Sequence, residues 1–276
     1  MTDLAALARR QYASLDPLTV RVRTHQRYSA RPDDVDAAVR AAIGLTPADD
    51  VLDVGCGTGA FLRTLAEEGH LGQLIGLDAS PAAVSALAAA PGVTAIEGDA
   101  QRLPFDDATA DVVTLRHMLY HVPDPLAALR EARRVLRPGG RLAAVVNVDT
   151  TLPTLMGLLA TAVGTHGFAR PRPDGEVGRG PRMASVHDGN LPTLVQQIFG
   201  YAETHRHDNE LVFPAPEPMV EYAVSCLVGW GVADDEPRRD DVIATLTEKA
   251  AALFGDGGPV RDPKGYVIVT AVAALA

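Results

Sequence analysis

The chain has 276 residues and is 47% hydrophobic, enough for one sizeable core with room for a lid or a second small lobe. A net charge of −10 argues against bulk nucleic acid as a partner, because nucleic-acid binders carry a basic face. Cys56 and Cys226 form no metal-ligand pattern, residues 1–16 carry charges throughout, and no uninterrupted apolar run reaches membrane-spanning length; a cytoplasmic protein with neither membrane nor metal partner is expected.

The stretch 33–43, "DDVDAAVRAAI", reads as a helix whose first turn is acidic, where the helix dipole favours negative charge. A short buried strand follows at 51–54, then a glycine-rich turn and a helix over 58–68. A second strand is expected at 73–78, and a helix opens at Ser80 as N-cap with Pro81 in its first turn. Strands are also expected at 93–99 and 111–116. A second cap-then-proline helix spans 124–136, and "PGG" at 138–140 breaks it before a fifth strand, "RLAAVVNV".

Strands that are continuous apolar runs alternating with helices predict a parallel sheet covered on both faces, hence a doubly wound α/β fold. Beyond Asp149 the expected elements are an apolar helix over 152–163, a Gly-, Pro-, Arg- and His-rich loop over 164–190, a helix over 191–199, a long strand over 202–213, a helix over 216–228 and a C-terminal strand at 265–273. The last strand is expected to pair antiparallel with 202–213 at the sheet edge. The organisation expected is a single domain: a helical cap over 1–46, a core over 47–150, an acceptor-site lid over 151–200, and 201–276 completing the sheet.

"VLDVGCGTGAF" at 51–61 raises the question of ligand. Gly55, Gly57 and Gly59 put backbone N–H groups beside a helix N-terminus, a setting that accepts an anion. Gly55, Gly57 and Ala60 also satisfy a dinucleotide fingerprint, with Asp78 about 20 residues on as the ribose acid. Asp53 argues the other way: a carboxylate inside the strand repels a pyrophosphate and suits a ligand with a cationic end. Asp99, at the end of the third strand, is placed to accept from an adenine amino group.

The strings "VLDVGCGTG", "GLDAS", "EGDAQRLPF" and "VLRPGG", occurring in that order at strand ends, resemble the class I S-adenosylmethionine-dependent methyltransferases over about residues 45–148, in particular the small-molecule group that includes the quinone-biosynthesis type. The resemblance implies a seven-stranded, mostly parallel sheet with an antiparallel last strand. It implies S-adenosylmethionine as cofactor, S-adenosylhomocysteine as product, and a small-molecule acceptor methylated on oxygen or nitrogen, in bacterial secondary metabolism. It also implies the cofactor contacts: the backbone of Gly55 and Gly57 at the methionine portion, Asp53 near its ammonium and the backbone near Arg116 bordering that end. Asp78 would take the ribose diol, Ala79 would stack on the adenine, and Asp99 and Ala100 would meet its edge. "RTHQRYS" at 23–29 looks like the N-terminal segment of bacterial members, which would bring Tyr28 over the cofactor carboxylate. Ala110 departs from the family, where an aromatic residue is common.

His117 and His121 follow the fourth strand on the edge where such sheets bind ligands. Their i,i+4 spacing allows one helical face, and each is a candidate base for deprotonating an acceptor. Tyr120 between them is a candidate lining residue. Two other readings stay open: an NAD-dependent oxidoreductase, and a non-catalytic cofactor-binding module. A monomer or homodimer is expected.

Overall fold

A computed structural model describes residues 16–168 and 186–275. The expected lid arginines Arg170, Arg172 and Arg179 lie outside the described residues, as does most of the 164–190 loop.

The elements run in chain order α1 (Asp16–Tyr28), α2 (Val35–Ala42), β1 (Val51–Val54), α3 (Ala60–Glu67), β2 (Leu74–Asp78), α4 (Pro81–Ala88), β3 (Thr94–Glu97), β4 (Ala110–Arg116), a 3-10 turn (Leu119–His121), α5 (Pro125–Val135) and β5 (Leu136–Asn147). After these come α6 (Pro153–Thr165), α7 (Leu191–Phe199), β6 (Glu203–Phe213), α8 (Pro216–Cys226), a 3-10 turn (Leu227–Trp230), α9 (Arg239–Leu253) and β7 (Val260–Val272). The seven strands form one sheet in the order β3-β2-β1-β4-β5-β7-β6. β1 pairs in parallel with β2 and β4, β2 with β3, and β4 with β5. β7 runs antiparallel to β5 and lies between β5 and β6, so the edge strand is β6.

The helix starts follow local chemistry. The side chains of Asp34, Ser80 and Asp124 each accept the N–H three residues on, at Ala37, Ala83 and Ala127, satisfying a donor that the first turn leaves open. "LRPGG" departs from the sequence reading. Helix α5 ends at Val135, and 136–140 already belong to β5, with a register shift opposite Ala110 and Val112. Gly139 takes φ +78, which lets this stretch bend without leaving the ladder.

The described residues divide into two compact units. One, the sheet unit, takes 34–148, 186–207 and 266–275. Its sheet is covered on one side by a core that includes Leu52, Leu115, Leu129, Leu142 and Val195, and on the other by one that includes Val39, Phe61, Leu62, Val145 and Ile268. Each such fully buried side chain contributes about 1.5–3 kcal/mol of transfer free energy. Helix α7 packs on α5 in this unit, where the Arg133 guanidinium donates to the Ile198 carbonyl.

The other, the helical unit, takes 16–33, 149–168 and 208–265 and centres on Leu155, Leu159, Phe213, Met219, Trp230 and Leu246. Residues 151–200 therefore do not form one body: α6 belongs to the helical unit and α7 to the sheet unit. Asp262, fully buried, accepts from the N–H groups of Thr154 and Leu155 at 3.0 and 2.8 Å and so places a negative charge at the N-terminus of α6. Lys264 donates to Asp33 at 2.5 Å and to His25 Nδ1 at 3.2 Å. An ammonium only donates, so His25 carries its proton on Nε2 and donates it to the Tyr222 hydroxyl at 3.1 Å. His25 and Tyr28 come from the "RTHQRYS" segment, and both tie α1 into this unit; Tyr28 packs on Phe213 with ring centroids 6.2 Å apart.

Candidate active site

The glycine turn after β1 does not hold out a row of open N–H groups. Gly55 and Cys56 both donate to the Leu77 carbonyl, at 2.7 and 3.2 Å, and Gly59 donates to Cys56. Gly57 donates to Asp78 Oδ2 at 2.8 Å. Of the free N–H groups expected here for an anion or a polar ligand group, these four are bonded inside the protein. Gly55 is demanded by the chain itself. It has φ +72, and a Cβ there would lie 2.7 Å from the Met118 Cβ. Cys56 is buried in the same turn, and burial together with Asp53 and Asp78 pushes its thiol well up, so it is no nucleophile.

Recognition on this edge then falls to side chains at successive strand ends. Asp53 in β1 is fully buried and accepts from the Thr114 hydroxyl at 2.6 Å. Arg116, at the end of β4, lays its fork on the same carboxylate, Nη2 to Oδ2 at 2.8 Å and Nε to Oδ1 at 3.3 Å. Its Nη1 reaches Asp36 Oδ1 at 2.5 Å, and its face lies over the Phe61 ring, 4.3 Å from the centroid. Burial alone would lower Arg116, but Asp53 and then Asp36 outweigh it and hold the guanidinium above its ordinary value. Asp36 is raised, chiefly by burial, with Arg116 opposing and Asp53 and Asp34 adding.

Asp78 ends β2. Its Oδ1 accepts from the Ser80 N–H at 2.9 Å, and burial raises it despite this bond and that from Gly57. A carboxylate has about four acceptor sites, so these backbone bonds leave some acceptor capacity open. Ala79 beside it is exposed. Asp99, past β3, is exposed and accepts from the Gln101 backbone and side chain, while Ala100 is buried.

His117 and His121 do not share a helical face. The 3-10 turn begins only at Leu119, and His117 precedes it with φ +53, a left-handed conformation that few non-glycine residues adopt. That turn brings the His117 ring edge-on to Tyr266, 6.5 Å between centroids, while His207 stacks on the other ring contact of Tyr266 at 4.8 Å and 8°. His121 pairs with Tyr120 at 4.6 Å. Asp53, Gly55, Gly57, Asp78, Ala79, Asp99, Ala100, Arg116, His117 and His121 all belong to the sheet unit. Tyr28 belongs to the helical unit. Sequence reasoning missed Asp36 and Met118. An acid in the first turn of α2 already had a local reason to be there, and nothing local marks its partner 80 residues on.

The edge thus carries acids in or just past three strands beside a tight glycine turn. Residues 52–144 match the methyltransferase domain family. The demethylmenaquinone methyltransferase of Staphylococcus epidermidis is 39% identical over 122 residues, 42% of this chain and 49% of that protein. The one from Mycolicibacterium gilvum is 45% identical over 124 residues, 45% and 51% of the two chains. The chain spans about half the length of these relatives. In structure, the [4+2]-cyclase SpnF superposes with a TM-score of 0.60 at 20% identity, covering 98% of this chain and 96% of that one. The YcgJ protein from Bacillus subtilis gives 0.56 at 18%, covering 87% and 98%. Residues 52–144 thus match a methyltransferase domain, and less than half of the chain is similar in sequence to the demethylmenaquinone methyltransferases.

Proposed function

We propose that the protein transfers a methyl group from S-adenosylmethionine to a small-molecule acceptor, with oxygen or nitrogen as the favoured atom. The observation that carries the reading is the donor set on the sheet edge. The N–H groups of Gly55, Cys56, Gly57 and Gly59 are internally bonded, which leaves fewer donors for a pyrophosphate, while the strand ends offer carboxylates and one guanidinium. That chemistry fits the cofactor: Asp78 has acceptor capacity open to the ribose hydroxyls, Asp99 to an amino group, and Asp53 with Arg116 offers both charges to an amino acid. Ala79 and Ala100 would flank the base, and the turn at Gly55 and Gly57 would border the methionine portion.

When bound, the cofactor supplies a sulfonium methyl that is already electrophilic, so the protein's task is to align the acceptor and exclude water. His117, at the end of β4 and turned toward Tyr266 by its left-handed backbone, is the candidate to take a proton from an acceptor hydroxyl or ammonium; His121 is the second candidate. No helix among the described residues is long and apolar enough to cross a membrane, and the acceptor is read as a diffusible molecule met by a monomer or homodimer in the cytoplasm. The Tyr120 ring beside His121 would line its site.

The test is methyl transfer from labelled S-adenosylmethionine to a panel of phenols, amines and a demethylmenaquinone, with wild type and His117→Ala. Turnover is expected on at least one acceptor, reduced about 10²–10⁴-fold in the variant, with a wild-type rate that rises with pH through about 6.5. A variant with the wild-type rate and pH profile removes His117 from the chemistry. Cofactor binding without turnover on any acceptor would favour a non-catalytic module.

A further inference from the structure

The edge of the sheet unit holds an uneven set of charges. Arg116 is one guanidinium bonded to two carboxylates, Asp53 and Asp36. The other charges near Asp36 on α2 offset one another, Asp34 against Arg40, and Arg40 is itself paired with Glu68. Asp78 adds a further carboxylate close to Asp53. Asp53 is also crowded: Thr114 and the Arg116 fork already supply three donors to a fully buried group.

With three of its acceptor sites taken, Asp53 gives a ligand ammonium a full share only as Arg116 loosens its hold. A guanidinium leaving a buried carboxylate with no other partner loses far more than it recovers from a distant charge. Asp36 removes that obstacle, because it already holds Nη1, and Phe61 keeps the guanidinium plane in place from below. Asp36 is itself 31% exposed, so it can receive the cation without a second carboxylate being sealed from water.

Resting on the cofactor reading above, we propose that Asp36 is a positioning residue for the amino-acid end of the cofactor: it takes up the Arg116 guanidinium as the ligand's ammonium takes a share of Asp53. Arg116 then faces the ligand carboxylate while still neutralised by Asp36. The pair Asp53 and Arg116 reads a zwitterion, and Asp36, which never touches it, makes that reading possible.

The experiment compares two probes by titration calorimetry on the full chain. S-adenosylhomocysteine carries the amino-acid end; 5′-methylthioadenosine shares its adenosine and thioether but lacks that end. Asp36→Ala is expected to weaken S-adenosylhomocysteine at least about tenfold, the scale of one lost charge-assisted hydrogen bond, and to leave methylthioadenosine within about twofold. Asp36→Glu should recover most of the loss. Circular dichroism and thermal melting confirm that the variants are folded. Equal weakening of both probes would mean a general structural role and overturn the proposal, as would an unchanged affinity for both. A wild-type protein that binds neither probe overturns the cofactor reading and this inference with it; one that binds both, with Asp36→Ala indistinguishable, overturns this inference alone.

Discussion

Two buried cations, each held by an aspartate from the six-residue stretch "RPDDVD", behave as opposites. In the helical unit Lys264 meets Asp33, with side chains 6% and 11% exposed, and passes its remaining bond to a neutral His25. The ion pair there joins one cation to one carboxylate, and each member of the cluster comes from a different element, α1's end, the loop before α2 and β7. In the sheet unit Arg116 meets two aspartates, and the cluster lies at the strand ends beside the glycine turn. A one-to-one buried pair closes on itself and fixes elements in place. A cation shared by two carboxylates stays responsive to an incoming charge. The contrast separates a tether from a receptor, though both are made of the same residue types.

The largest expected effect breaks the one-to-one pair. Lys264→Met leaves Asp33 buried without its cation and should lower stability by about 3–5 kcal/mol, read as a fall in the urea midpoint. Adding Asp33→Leu should restore much of it, since replacing both partners avoids the lone charge. A single variant as stable as wild type would show that this pair is no tether.

A smaller effect sharpens the receptor side. Asp78→Ala should weaken S-adenosylhomocysteine by about 1–3 kcal/mol if the carboxylate holds two ribose hydroxyls. Unchanged affinity in a folded variant would remove Asp78 from the site.

The smallest effect is in pH dependence. Asp36 and Asp78 are both raised in the folded protein, mainly by burial, so between the ordinary carboxylate value and their folded values the native state binds more protons than the unfolded chain. Their contribution to stability is full below that window and is lost as pH rises through it. Asp36→Asn lacks this loss, so its urea midpoint should gain on wild type as pH rises from about 4 toward neutrality. A difference between the two that is flat across that range would contradict the burial account.

How far each cluster could be read in advance follows from the range of its interactions. The βα alternation was legible because parallel strands buried on both faces are apolar runs, as at 51–54 and 141–146. Ser80 and Asp124 announced their helices because a cap and a proline act within three residues. Helix α9 was not legible: Val242, Leu246 and Ala250 are its buried stripe, but alanines and threonines between them dilute the apolar contrast. "LRPGG" looked like a break because proline and glycine interrupt most elements, whereas here a register shift in β5 absorbs them. The histidine pair at 117 and 121 had helical spacing, and only the left-handed backbone at His117 separates them. The strand-end acids were visible as motifs. Their partners were not, since Asp36 to Arg116 and Asp33 to Lys264 span 80 and 231 positions and leave no local trace.

The central claim is that the sheet unit's edge receives S-adenosylmethionine rather than a dinucleotide. Calorimetric titration of the wild-type chain with S-adenosylhomocysteine and, separately, with NADH tests it most directly. The account predicts saturable one-site binding of S-adenosylhomocysteine and none of NADH, because four of the turn's N–H groups, those of Gly55, Cys56, Gly57 and Gly59, are already bonded within the protein, and the buried Asp53 carboxylate repels a pyrophosphate. Saturable binding of NADH with no heat from S-adenosylhomocysteine would contradict it.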